Sequence, residues 1–294
     1  MTPRPKTPRG TVTGRVKDKD KNKNKDGDAA MAKPVRSSSD PFGPAAGGPF
    51  WTGPYWQRAQ RPLEILLLLA PLIVIYELGL IAILRQDGGV LVTNLAHKYI
   101  IDLFSAMGIT GFGLGLPGLL LVILLFVWQV LSRNPWAIHW GTIGLMWIES
   151  FILVIPIVVI AALLNSSATP LAASVPVSET IAERMAMGIG AGLYEELIFR
   201  WAIIATVHAL LVDGFGVSHR VTVFFAVVIS AVAFMLYHPI HGPEGGLLSG
   251  LAVFYLASGA YFSMVYILRG FGIVAATHAV YDVFVVLLAL SITE

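Results

Sequence analysis

The chain has 294 residues, 56% hydrophobic and 13% charged, with a mean hydropathy of +0.74. Soluble domains carry about a quarter charged residues, so these values exclude an ordinary water-soluble domain and point to lipid as the solvent. There is no cysteine, which excludes disulfides, thiolate metal sites and a cysteine nucleophile. The net charge of +2 hides a division: residues 1–62 hold thirteen basic and five acidic residues, the remainder seven basic and thirteen acidic. Acid in an apolar body has a desolvation cost and needs a reason.

Residues 1–62 read as a disordered basic, Pro/Gly-rich tail, because little in them could offset the entropy of folding. They contain no apolar run of the secretory kind behind their charges. Aspartate interspersed with the lysines, and no binding fold, argue against a nucleic-acid partner. Trp51, Tyr55 and Trp56 stand where interfacial aromatics precede a first span. Residues 63–294 form the transmembrane domain. Apolar runs able to cross about 30 Å of hydrocarbon fall near 63–84, 111–132, 141–164, 186–211, 220–238, 247–268 and 272–291. The expected fold class is all-α: a polytopic transmembrane helix bundle of seven or eight spans. Residues 91–108 and 174–185 look amphipathic and suit an interfacial position. The basic tail favours a cytoplasmic N-terminus in a cell (plasma or inner) membrane. Gly188 with Gly192, and Gly246 with Gly250, read as small-residue pairs for close helix contact.

Three polar clusters interrupt the apolar body. The first runs from Glu195-Glu196 to Arg200 in the fourth span, where one charge at mid-span costs roughly 2.5–3.5 kcal/mol. Glu196 and Arg200 sit at i,i+4 with the acid first, the better order for pairing. Glu195 is turned about 100° from Glu196 and so can face a cavity while its neighbour is neutralised. The second cluster runs from Phe234 to His238, and Pro239 places His238 at a helix end. The third is His278 to Asp282, one turn apart on the last span. Singly, each has a bland reading: an interfacial histidine, a structural ion pair, a mutually satisfied His–Asp pair. Together they suit peptide hydrolysis by an activated water. Glu195 would be the general base. His238 would share the water or protonate the leaving amine, and His278 would donate to the oxyanion. Alternatively Glu195, His238 and His278 would hold a zinc ion.

At these residues the sequence resembles the CPBP family, the Abi or CAAX-protease-like intramembrane endopeptidases, over about residues 180–290. That family carries E-E-x-x-x-R, F-x-x-x-H and H-x-x-x-N/D on separate membrane helices. The resemblance implies a catalytic cavity between helices, in which Glu195 and His238 activate water and His278 with Asp282 stabilises the oxyanion. Glu196, Arg200 and Phe234 become supporting residues. It implies a peptide or protein substrate, possibly lipidated such as a prenylated CAAX tail, and no cofactor, with zinc as the alternative. Two positions depart from the family pattern: Trp201 replaces a common glycine, and Asp282 replaces a frequent asparagine. An ionised carboxylate cannot donate to an oxyanion, so Asp282 would orient His278 or be protonated.

Other intramembrane proteases lack their residues here. The H-E-x-x-H of zinc site-2 types and the G-x-G-D of presenilin types are absent, and Ser258 sits in an incomplete rhomboid-type motif. The rival class is a transporter, with Glu77, Glu149, Glu195, Glu196 and Asp282 lining an ion path. A third reading is a non-catalytic immunity or scaffold member of the same family. Alternating spans also pose a geometric problem, because they put His238 near one membrane face and His278 near the other.

Overall fold

The computed structural model describes residues 54–82, 93–109, 115–164, 180–242 and 244–293. Among them the regular structure is helical, and extended pairing is limited to a single bridge between His241 and Leu247. The helices, in chain order, are α1 Pro54–Arg58, α2 Pro62–Ala82, α3 Leu95–Ala106, α4 Leu116–Ser132, α5 Trp140–Leu164, α6 Ile181–Gly214, α7 His219–Tyr237, α8 Ser249–Arg269 and α9 Phe271–Thr293. Six of these, α2 and α5 to α9, are long and apolar enough to cross a membrane. Helix α4 has 17 residues, about 25 Å at 1.5 Å per residue, slightly short of a full crossing. The chain is therefore an integral membrane protein, with six full-length spans and one shorter apolar helix among the described residues.

The local sequence explains several boundaries. Pro62 opens α2, where its missing N–H would have had no partner. Thr180 and Glu183 form a capping box that starts α6, pairing two otherwise orphaned N–H groups. Residues from Ile181 onward thus belong to this long helix and not to an interfacial segment over 174–185; residues 174–179 lie outside the described residues. Segment 91–108 does form a separate short helix, α3, begun by Asn94. The stretch read as tail ends in α1, whose Tyr55 and Trp56 are half-buried against Arg269; Trp51 and the rest of residues 1–53 lie outside the described residues. Gly270, at φ +86°, is the sole link between α8 and α9, a conformation that glycine adopts without penalty.

Apolar side chains cover both the inside and the outside of the bundle. Ile148, Ile152 and Ile155 on α5 and Phe224 on α7 are exposed, whereas Glu64, Glu195, Glu196, Arg200 and Arg269 are buried. That inversion of the usual pattern is what lipid solvent demands. Helix α9 lies at the centre, with Ile273, Val274, Ala275 and Ala276 fully buried, and packs most extensively on α6. A Cβ at Gly192 would come within 2.4 Å of the Ala279 backbone nitrogen, and one at Gly188 within 2.8 Å of Asp282 Cβ. The Gly188/Gly192 pair therefore sets this approach. Gly246 and Gly250 face open space, and Gly246 precedes α8. The second tight crossing, α7 on α8, uses Gly259 against Ala231 instead.

Candidate active site

The geometric problem of the alternating spans is resolved by the length of α6. It has 34 residues, about 51 Å, and Glu195 lies near its middle. The part beyond Glu195 is as long as the whole of α7, which has 19 residues, so α7 returns His238 to the level of Glu195. Pro239 then holds His238 in an extended conformation (φ −88°, ψ 157°), as a residue before proline prefers. Immediately after Glu196 the helix widens into a π turn, Leu197–Ala202, a feature frequent at functional sites. The Phe199 carbonyl there accepts a hydrogen bond from Ser230 on α7 (2.8 Å).

The three clusters meet around one cavity of about 460 Å³ between α6, α7, α8 and α9, closed on one side by Thr93, Asn94 and Leu95. They are arranged on two levels. At the first, His238 stacks on Tyr255 with centroids 3.9 Å apart, and its Nε2 is 3.7 Å from Glu195 Oε2. At the second, His278 stacks on Phe262 with centroids 4.6 Å apart. Tyr255 and Phe262 are two turns apart on α8, about 10 Å, and the consecutive acids Glu195 and Glu196 serve one level each. Phe234 joins them, its ring 4.4 Å from that of His238 and 6.0 Å from that of His278.

Hydrogen bonds fix the orientation of the first level. His238 Nδ1 is 2.8 Å from the Phe234 carbonyl. A carbonyl only accepts, so Nδ1 carries the proton and, in the neutral ring, Nε2 is an acceptor facing Glu195. Burial pushes the His238 pKa below the ordinary histidine value, with Glu195 and the Phe234 carbonyl pulling the other way. Glu195 is 4% exposed; its Oε1 accepts from Asn94 Nδ2 at 3.0 Å, and its Oε2 has no hydrogen-bond partner among the described residues.

At the second level Glu196 and Arg200, both fully buried, pair at 2.9 Å. The same Glu196 oxygen lies 2.6 Å from His278 Nδ1, while His278 Nε2 faces Asp282 Oδ2 at 3.6 Å. The Arg200 guanidinium lies over Phe234 (4.1 Å) and more distantly over Phe262 (5.4 Å), so aromatic faces supply part of its counter-field. All seven residues named from the sequence, Glu195, Glu196, Arg200, Phe234, His238, His278 and Asp282, thus converge. Both His278 nitrogens are turned to carboxylates, and among the described residues no three His, Asp or Glu side chains are placed to hold a metal ion.

Other polar residues take structural roles. Glu149 is bound by Arg269 through two nitrogens and by the Tyr55 hydroxyl. Glu77 accepts from Tyr194 at 2.9 Å. Neither lines the cavity. The Ser258 hydroxyl donates to the Phe254 carbonyl at 2.8 Å, the ordinary backbone bond of a helical serine. Asn94 was not singled out from the sequence. Its one signal is an asparagine just ahead of an amphipathic run, which marks a helix start and carries no hint of the site.

Residues 177–284 match a family model described as type II CAAX prenyl endopeptidase Rce1-like. The match covers less than half of the chain but includes all seven converging residues, and the family is one of peptidases. It agrees with the resemblance to CPBP proteases noted from the three motifs. No curated protein and no solved structure gives a match.

Proposed function

We propose that the protein is an intramembrane endopeptidase that hydrolyses a peptide bond with a water activated by Glu195 and His238. The observation that carries this reading is the facing pair of acceptors, Glu195 Oε2 and His238 Nε2, 3.7 Å apart at the cavity wall. Two acceptors repel unless a donor lies between them. A water donating one hydrogen to each satisfies both and turns its lone pairs toward the cavity. As that oxygen bonds to the substrate carbonyl carbon, Glu195 takes a water proton and the carbonyl oxygen becomes an oxyanion. When the C–N bond breaks, Glu195 returns the proton to the leaving amine. His278, protonated on both nitrogens, donates Nδ1–H to Glu196 and shares Nε2–H between Asp282, which orients the ring, and the developing oxyanion. The buried Arg200 balances the charge of Glu196, so Glu196 can hold His278 without competing for the water proton.

The substrate we assign is a peptide or protein segment that enters the cavity from the membrane. The name of the matched family makes a prenylated C-terminal peptide the first to try. The strongly basic N-terminal tail supports a cytoplasmic N-terminus. The test is cleavage of internally quenched peptides, farnesylated and unmodified, by the full chain in proteoliposomes. Glu195→Gln and His238→Ala are each expected to lower kcat by at least ~100-fold, the scale of general-base loss. Addition of a chelator is expected to leave the rate unchanged; loss with chelator and recovery with zinc would favour the metal chemistry instead. Undiminished cleavage by both variants would overturn the assignment.

A further inference from the structure

Asn94 lies far upstream of the matched stretch, yet it reaches the centre of the site. It is 6% exposed, and its Nδ2 donates to Glu195 Oε1 at 3.0 Å. Which end of the amide faces Glu195 is fixed by its other partner. The Ala96 backbone N–H donates to Asn94 Oδ1 at 2.8 Å, so the oxygen must face α3 and the nitrogen must face the carboxylate. The Tyr237 hydroxyl, at the end of α7, adds a longer donation to the same Oδ1 (3.4 Å). One side chain thus joins the start of α3, the middle of α6 and the end of α7.

We propose that Asn94 is a positioning residue: it anchors one oxygen of Glu195 and so aims the other at His238. The inference rests on the endopeptidase reading of the site. A free carboxylate rotates about its terminal torsion, which is broad and two-fold. With Oε1 tied, that rotation stops, and Oε2 stays opposite the acceptor nitrogen of His238. The anchor is itself held by its capping bond to α3, whose buried face of Ala96, His97 and Ile100 packs into the bundle. The catalytic carboxylate is therefore set by two chain segments about a hundred residues apart.

The two bonds of Asn94 can be separated by substitution. Aspartate and serine cap helices about as well as asparagine, whereas alanine does not. A purely structural role therefore ranks Asn94→Ala worst and leaves Asn94→Asp and Asn94→Ser near the wild type. The positioning role inverts this order, because Asn94→Asp sets carboxylate against carboxylate. With farnesylated quenched peptide and full-length protein in proteoliposomes, Asn94→Asp is expected to lower kcat by ~100-fold or more while KM stays within about twofold, the signature of a misplaced catalytic group. Asn94→Ser, too short to reach Glu195, falls in between.

A second readout does not need activity. Asn94→Asp lowers the melting temperature, and combining it with Glu195→Gln restores most of the loss, because the amide and the carboxylate have exchanged places. Near-wild-type kcat for Asn94→Asp, or additive melting shifts in the pair, would overturn the proposal. If the wild type cleaves no peptide, the endopeptidase reading fails and the positioning role with it. A restored melting temperature in the exchanged pair would then still uphold the Asn94–Glu195 contact.

Discussion

Two Glu–Arg pairs made of the same groups behave differently in this protein. Glu149 on α5 and Arg269 at the end of α8 meet in a two-point bond, and Tyr55 donates to the same carboxylate. Burial, then the bond to Glu149, pushes the Tyr55 hydroxyl above its ordinary pKa, so it remains a donor. Trp56 covers the guanidinium at 3.4 Å from ring centroid to Cζ. Glu149 is 20% exposed at the side chain, and the cluster locks α1 onto the junction of α8 and α9. Glu196 and Arg200, by contrast, are wholly buried and neighbours on one helix, and share a single oxygen with His278. Arg200 makes no well-directed hydrogen bond among the described residues and rests largely on aromatic faces. The first pair is closed on itself and has only a structural task. The second is not closed on itself: the Glu196 oxygen that pairs with Arg200 also holds His278, which lines the cavity.

The largest test of this contrast is Arg200→Met, which strands the Glu196 charge. Stranding a fully buried partner costs about 3–5 kcal/mol, so denaturant unfolding in detergent is expected to reveal a loss of that size together with loss of cleavage. Glu149→Gln should cost less, about 1.5–3 kcal/mol for a charged hydrogen bond, because the group is partly solvated; cleavage per folded molecule should stay at the wild-type level. Equal losses in the two variants, or lost catalysis in Glu149→Gln, would erase the distinction.

Packing sharpens the same contrast at smaller scale. Gly192→Ala drives a methyl group into the Ala279 backbone. The expected cost is about 1–3 kcal/mol for overpacking, and because Ala279 follows His278, kcat should fall as well. Tyr55→Phe removes one bond to Glu149 and is expected to lower stability by about 1 kcal/mol, read as a small drop in Tm with kcat unchanged. Gly250→Ala meets nothing within 4 Å and lies within α8, so it should be neutral or stabilising by up to about 1 kcal/mol. A drop in Tm for Gly250→Ala would mean that the face is packed after all.

Hydropathy and the spacing of a few residues determined much of this protein. Lipid solvent, an all-helical bundle and the seven converging residues all follow from apolar runs broken by E-E-x-x-x-R, F-x-x-x-H and H-x-x-x-D. A charge inside a span is costly enough to be conspicuous against apolar neighbours. The tertiary structure decided what spacing cannot encode. It extended α6 to 34 residues, which brings His238 level with Glu195 and onto the same cavity as His278, where simple alternation of spans puts the two histidines at opposite faces. It chose Gly259 over the Gly246/Gly250 pair for the second close crossing, because a glycine pair reveals nothing of which face meets a neighbour. It also gave Glu149 its partners Arg269 and Tyr55 and brought Asn94 onto Glu195. Those contacts join residues about a hundred positions apart. An asparagine at a helix start reads in sequence only as a cap; its second bond exists only once α3 has packed against α6.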